Sequence, residues 1–140
     1  MGLLSWLRGI ATEASAPPIN INGTGDYLLE VVGEASYQDA ISQICGGKTK
    51  QGHRKQVQAL LVHDDANQHD RKAVRVDVAG STVGYLSREH ARKFRDQLTR
   101  MGHRGAPVAC AAIIVGGWDR GNGNTGHFGV KLDVPMSAAL

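Results

Sequence analysis

Long apolar runs, paired cysteines and aromatic side chains are all scarce in this sequence, and each shortage removes a class of protein. The opening Met1–Ala11, MGLLSWLRGIA, is apolar over too few residues for a signal peptide or a membrane span. Trp6 stands where a myristoylation signal needs Ser or Thr. No membrane span is therefore expected, and the cytoplasm is the default compartment. The two cysteines, Cys45 and Cys110, lie far apart, outside any Cys-x-x-Cys pair and with no His at ligand spacing. That argues against zinc and leaves both as small buried hydrophobes. Neither a P-loop nor a nucleophile with a matching base is present, so no enzyme and no cofactor is expected. Aromatics make up only 5% of the chain, so any surface for stacking bases is sparse.

Glycine, by contrast, is plentiful: 18 residues against 4 prolines, a ratio that points to tight turns and many short strands. The 140 residues suffice for one domain with a sizeable core and fall short of two ordinary ones. A net charge of +3 is mild, yet its distribution is uneven. Residues 1–45 set Arg8 against Glu13, Asp26, Glu30, Glu34 and Asp39, whereas Lys48, Lys50, Arg54 and Lys55 follow with no acid between them. A second surplus lies in Arg88, Arg92, Lys93, Arg95, Arg100 and Arg104, offset only by Glu89 and Asp96. If the two segments meet on one face they make a footprint for a polyanion; otherwise they are solvated surface.

Residues 1–26 divide into a three-turn helix pattern, with Leu3, Leu4, Trp6, Leu7 and Ile10 on one side, and a linker rich in Ala, Ser, Pro, Asn and Gly. The helix is expected first to pack on its own domain, with docking to a protein partner or a membrane surface as the alternatives. The domain proper spans 27–135, with a short tail at 136–140. Tyr27–Gly33 reads as a strand, and Ser36 as the N-cap of a short helix that Gly46-Gly47 ends. After the basic loop come a strand at Val57–Val62, a polar turn at Asp64–Lys72, and Ala73–Val78, which alternates at period two. Gly80-Ser81 turns into Thr82–Leu86. Ser87 then caps the one long helix, ending near Met101-Gly102. Ala91, Phe94, Leu98 and Met101 form its apolar stripe, with Arg88, Arg92, Arg95 and Thr99 beside it. Val108–Gly117 and Phe128–Val134 complete a count of six strands, one long and one short helix. Short strands without a βαβ rhythm predict a mainly β (α+β) chain folded as a small antiparallel barrel.

Four motifs recur in a telling order. Val32-Gly33-Glu34-Ala35-Ser36-Tyr37 ends the first strand, and Asn67-Gln68-His69-Asp70-Arg71-Lys72-Ala73-Val74 precedes the third. Val83-Gly84-Tyr85-Leu86-Ser87-Arg88 enters the basic helix, and Ile114-Val115-Gly116-Gly117-Trp118 heads the last hairpin. Over roughly residues 28–134 this combination resembles the HIRAN domain, found at the front of some Snf2-type DNA translocases and alone in many bacteria; this chain looks like a stand-alone bacterial-type member. The resemblance implies an OB- or SH3-like barrel, a place in DNA repair, and binding of the 3′ end of single-stranded DNA. It implies that Asn67 and Asp70 match the loop that holds the terminal hydroxyl, and that His69 stands where Tyr is common. Tyr85 and Arg88 match the positions that touch the strand's end. Eukaryotic members carry Arg and Tyr just after the glycine matching Gly33; here Ala35 and Ser36 stand there, then Tyr37 and an insertion of roughly Gln38–Arg54.

The residues themselves are compatible with that role and with plainer ones. Arg88, Arg92 and Lys93 can neutralise phosphates, and Tyr37, His69, Tyr85 or Trp118 can stack a base. Asn67 and Asp70 can equally be an Asx-turn that only shapes its loop, and Tyr85 a half-buried strand aromatic. Asp64, Asp65, His69 and Asp70 can in principle hold a metal, which would make the chain a metal-dependent nuclease, although a polar loop of this kind is more often just a loop. Gly121-Asn122-Gly123-Asn124-Thr125-Gly126 fits G-x-G-x-x-G, but a strand follows it where a dinucleotide site needs a helix, so it reads as a hairpin loop. The leading expectation is a non-enzymatic nucleic-acid-binding module; the rival is a protein-interaction barrel docking an acidic partner.

Overall fold

The computed structural model describes residues 17–135. In chain order these form β1 (Ile19–Asn20), β2 (Leu29–Glu30), a 3-10 turn at Glu34–Tyr37, α1 (Gln38–Cys45) and β3 (His53–His63). They continue as β4 (Val74–Val78), β5 (Ser81–Tyr85), α2 (Arg88–Arg100), β6 (Val108–Gly116) and β7 (Phe128–Asp133). The fold is mainly β, a curled sheet with one long and one short helix.

The sheet runs β2-β7-β6-β3-β4-β5, each pair antiparallel. Its two ends approach each other where Val32, just past β2, exchanges backbone hydrogen bonds of 2.8 and 2.9 Å with Tyr85. Gly84 permits that seam: a Cβ there would sit 2.7 Å from the Val32 carbonyl oxygen. The alternation in β4 works as its sequence predicts, with Val74, Val76 and Val78 inside and Arg75 and Asp77 outside. Inside the curl they meet Leu61, Val83, Val108, Ile114, Val130 and Leu132, all essentially without solvent exposure. Ile41 of α1 and Ala91, Phe94 and Leu98 of α2 complete the same core.

Four expectations need correcting. The span read as linker contains β1, which pairs parallel to β6; Ile19 and Ile21 donate N–H bonds to Pro107 and Ala109. β7 covers that edge of β6 only from Ala111 onward, so the first residues of β6 keep open groups for β1 to satisfy. Asp133 reinforces the attachment by accepting the backbone N–H of Gly25 at 3.0 Å. Ser36 is not an N-cap: Glu34–Tyr37 tightens into the 3-10 turn, and α1 starts behind Tyr37 without a side-chain cap. Gln38 anchors it instead, its amide bonding both the Phe128 carbonyl (3.0 Å) and the Phe128 N–H (2.8 Å). β3 begins at His53, so Arg54 and Lys55 belong to a strand, because β3 pairs with β6 along its whole length from Gly116 to Val108. Met101, lastly, is 55% exposed. It is the helix's C-cap, beyond the last turn that lies on the barrel. The Leu3–Ile10 helix pattern falls outside the described residues.

Among the described residues no helix is long and apolar enough to cross a membrane. Both cysteines are free thiols; burial pushes Cys110 up to about 12, which keeps it protonated and inert at neutral pH.

Candidate nucleic-acid interface

The loop between β3 and β4 is built by its own short polar side chains. Asn67 Oδ1 accepts the backbone N–H groups of His69 (2.9 Å) and Asp70 (3.0 Å), and its amide donates to Asp64 Oδ2 (3.2 Å). This is the Asx-turn geometry, so Asn67 has few hydrogen-bonding sites left over. Asp70 reaches across to α2. Arg92 grips it with both terminal nitrogens at 3.1 Å, and the Lys72 N–H donates to it at 3.0 Å. The Arg92 hydrogen bond, followed by the Lys72 one, holds the Asp70 carboxyl below its usual value. Arg88 adds a looser ion pair to Asp70 (3.9 Å) and donates to the His69 carbonyl (3.0 Å). Its side chain stays 70% exposed, which leaves it open to a ligand.

That junction depends on where α2 starts. Ser87 caps the helix as its sequence predicts, its Oγ accepting the His90 N–H at 3.1 Å. One residue later Arg88 begins the stripe that continues through Arg92 and Arg95, at helical spacings of four and three. Arg95 closes the far side, pairing with Asp65 (2.8 Å) and donating to the carbonyls of Ala73 (2.7 Å) and Arg71 (3.3 Å). The three arginines thus stitch the loop onto the helix at three successive points.

Beside the junction stand two aromatics. The Tyr85 hydroxyl donates to Asp64 Oδ2 at 2.8 Å, and its ring lies 6.4 Å from that of Tyr37 at a 45° tilt. Burial, then the bond to Asp64, pushes the Tyr85 hydroxyl up to about 12, so it remains a donor throughout the physiological range. Asp64 therefore receives Asn67 and Tyr85 together, tying loop to seam. Sequence reasoning treated Asp64 only as a metal candidate and did not name Asp64, Arg71, Lys72 or Arg95 as site residues. The signal available for Arg95 was its place in the arginine stripe.

Tyr37, Asn67, His69, Asp70, Tyr85, Arg88 and Arg92 are thus gathered in one region. Lys93 and Trp118 are not. Lys93 pairs with Glu89 at 3.3 Å, and one residue past Arg92 it is turned about 100° around the helix, away from the stripe. Trp118 lies at the opposite end of β3, where it bridges to Thr49 and packs against Gly126; a Cβ on that glycine would enter the indole ring. Arg120 sits over the same ring at 5.2 Å and donates to the Lys50 carbonyl at 3.1 Å. The basic loop is consequently fastened to the β6–β7 hairpin, separated from the Asn67–Asp70 loop by an 11-residue strand, roughly 30 Å of extended chain. The two basic segments do not converge as their charge pattern suggested. The Gly121–Gly126 stretch is a hairpin loop, closed by the bond from the Arg120 N–H to the Asn124 carbonyl.

The carboxylates of Asp64, Asp65 and Asp70 turn to separate partners, and no cluster of three or more His, Cys, Asp or Glu suited to a metal occurs among the described residues. Comparison of the chain with protein-family models, curated proteins and solved structures finds no match.

Proposed function

We propose that this domain is a nucleic-acid-binding module that grips single-stranded DNA near a free 3′ end, and that it is not an enzyme. The observation that carries the reading is the junction of Asp70, Arg88 and Arg92 beside the Tyr37–Tyr85 pair. A carboxylate offers about four acceptor sites. Arg92 and the Lys72 N–H occupy three at Asp70, and the remaining one, on Oδ2, lies under the exposed Arg88. A terminal hydroxyl can donate to that site while Arg88 meets the last phosphodiester and a base lies against Tyr85 or Tyr37. A 3′-phosphate placed there faces an ionised acid instead. The HIRAN-like motifs support the same assignment, with Asp70 acting as both acceptor and positioner of its arginines. Ala35 and Ser36 are exposed and contribute no large side chain, so affinity rests on α2 and the loop.

The test compares short oligonucleotides ending in a 3′-hydroxyl or a 3′-phosphate by fluorescence anisotropy. The expected result is tighter binding of the hydroxyl form, with the preference lost in Asp70→Ala. Equal affinity of the wild type for both ends refutes 3′-end recognition.

A further inference from the structure

Past Arg92, on the side away from Tyr85, the loop and helix enclose a groove of about 970 Å³. Its rim holds five cations, Arg71, Lys72, Arg92, Arg95 and Arg104, against two carboxylates, Asp65 and Asp96. Their states differ in a way that sorts them by role. Arg95 is spent on Asp65 and two backbone carbonyls, and those carbonyl bonds fix the backbone that carries Arg71 and Lys72. Arg92 is half-spent on Asp70. Arg71, Lys72 and Arg104 are exposed, with no carboxylate paired to any of them among the described residues. Arg104 is held near the helix end because the turn after α2 is closed by the His103 N–H bonding the Leu98 carbonyl at 2.8 Å.

We infer that this groove is a second phosphate track, in which Arg71, Lys72 and Arg104 take the backbone of the nucleotides that precede the terminal one. The inference rests on the proposed reading of the Asp70 junction and extends it. Three properties favour a phosphodiester chain over a compact anion. The free cations are divided between the loop beside α2, which carries Arg71 and Lys72, and the turn past its C-terminus, which carries Arg104, so they are not gathered at one point. They are exposed charges on a fixed backbone, suited to successive phosphates without base selection. The groove shares Arg92 and Lys72 with the Asp70 junction, so a strand seated at the junction is already beside it. The resulting footprint is about four nucleotides, the low end of what one OB-type domain covers.

The experiment uses the full chain and 5′-labelled oligothymidylates with free 3′-hydroxyls, a trinucleotide and a decanucleotide, titrated across a salt series. The wild type is expected to bind the decamer on the order of tenfold more tightly than the trimer. The Arg71→Ala/Arg104→Ala double variant is expected to lose most of that gain, and to weaken binding of the trimer, which offers the track a single phosphodiester, far less than binding of the decamer. Its log–log salt slope on the decamer should fall by roughly 1.4, two single-strand phosphates' worth. Asp96→Asn, which removes a like charge from the groove, should tighten the decamer alone. If the double variant keeps the full length-dependent gain, or the wild type shows none, the track is refuted while trimer binding lost in Arg88→Ala leaves the junction standing. If the wild type binds neither probe, the reading of the junction fails and the track with it.

Discussion

The two ends of β3 carry similar charge and have opposite organisation. At the His53 end, Lys48, Lys50, Arg54 and Lys55 are exposed cations beside a tryptophan and an arginine, and no carboxylate pairs with them among the described residues. At the His63 end the arginines are partly neutralised, yet each is locked by a named acceptor: Asp70 for Arg92, the His69 carbonyl for Arg88, Asp65 for Arg95. By charge alone the first end is the better polyanion site. By pre-organisation the second is, because a side chain already held in place loses less entropy when a ligand arrives. Placing an acid inside a basic surface thus trades net charge for geometry, as the proposed recognition of a strand's end would require.

The sharpest way to break this comparison is to remove one charge from each end. On the proposed reading Arg92→Ala should weaken strand binding on the order of thirtyfold, since it strips Asp70 of its bidentate partner and leaves an unpaired carboxylate to repel the strand. Lys50→Ala should change the same affinity by less than about twofold. Equal losses in an anisotropy titration would mean that net charge, not arrangement, governs binding.

Next in size is the pair of aromatic hydrogen bonds. Tyr85→Phe deletes the 2.8 Å donation to Asp64 and should cost about 1 kcal/mol in urea unfolding. Trp118→Phe deletes a 3.3 Å bond to Asn124 in an exposed setting and should cost about half that or less. The order of the two midpoints is the measurement; a reversal would place the more tightly built region at the hairpin.

The smallest effect concerns protons. His63 packs edge-on to Phe94 at 6.1 Å, and burial, with the nearby Arg95 charge, lowers it below its ordinary 6.5. A folded-state value below the unfolded one means that its contribution is complete above about pH 6.5 and fades as pH falls through the folded value. Midpoints measured between pH 7.5 and 5 should decline, and His63→Phe should flatten the decline. An unchanged slope in the variant would assign the acid sensitivity elsewhere.

How legible each end was from sequence depends on range. β4 announced itself by alternation and α2 by its stripe and Ser87, because these signals are complete within a dozen residues. β1 was not legible: its two residues form a strand only because β7 leaves the start of β6 uncovered. Met101 fits the stripe's spacing but lies past the point where the barrel ends. The gathering of Asn67, Asp70, Arg88 and Arg92 was legible through the motif combination. The segregation of Lys48–Lys55 was not, since a segment's charge says nothing about which end of a strand carries it. Asp64 was hidden for another reason: its value lies in receiving Asn67 and Tyr85 at once, a pairing visible only after the chain has curled.

The seam between Val32 and Tyr85 has a consequence for motion. Two backbone bonds join chain segments far apart in sequence there, and Tyr85 is also pinned through its hydroxyl to the loop. Any breathing of the barrel at this line must therefore disturb the aromatic wall of the candidate interface. The two amides should exchange with deuterium by local opening, sooner than those in the middle of β3 and β6. A strand resting on Tyr85 would slow that exchange, so occupancy of the interface becomes readable as protection at Val32, a residue the strand need not touch.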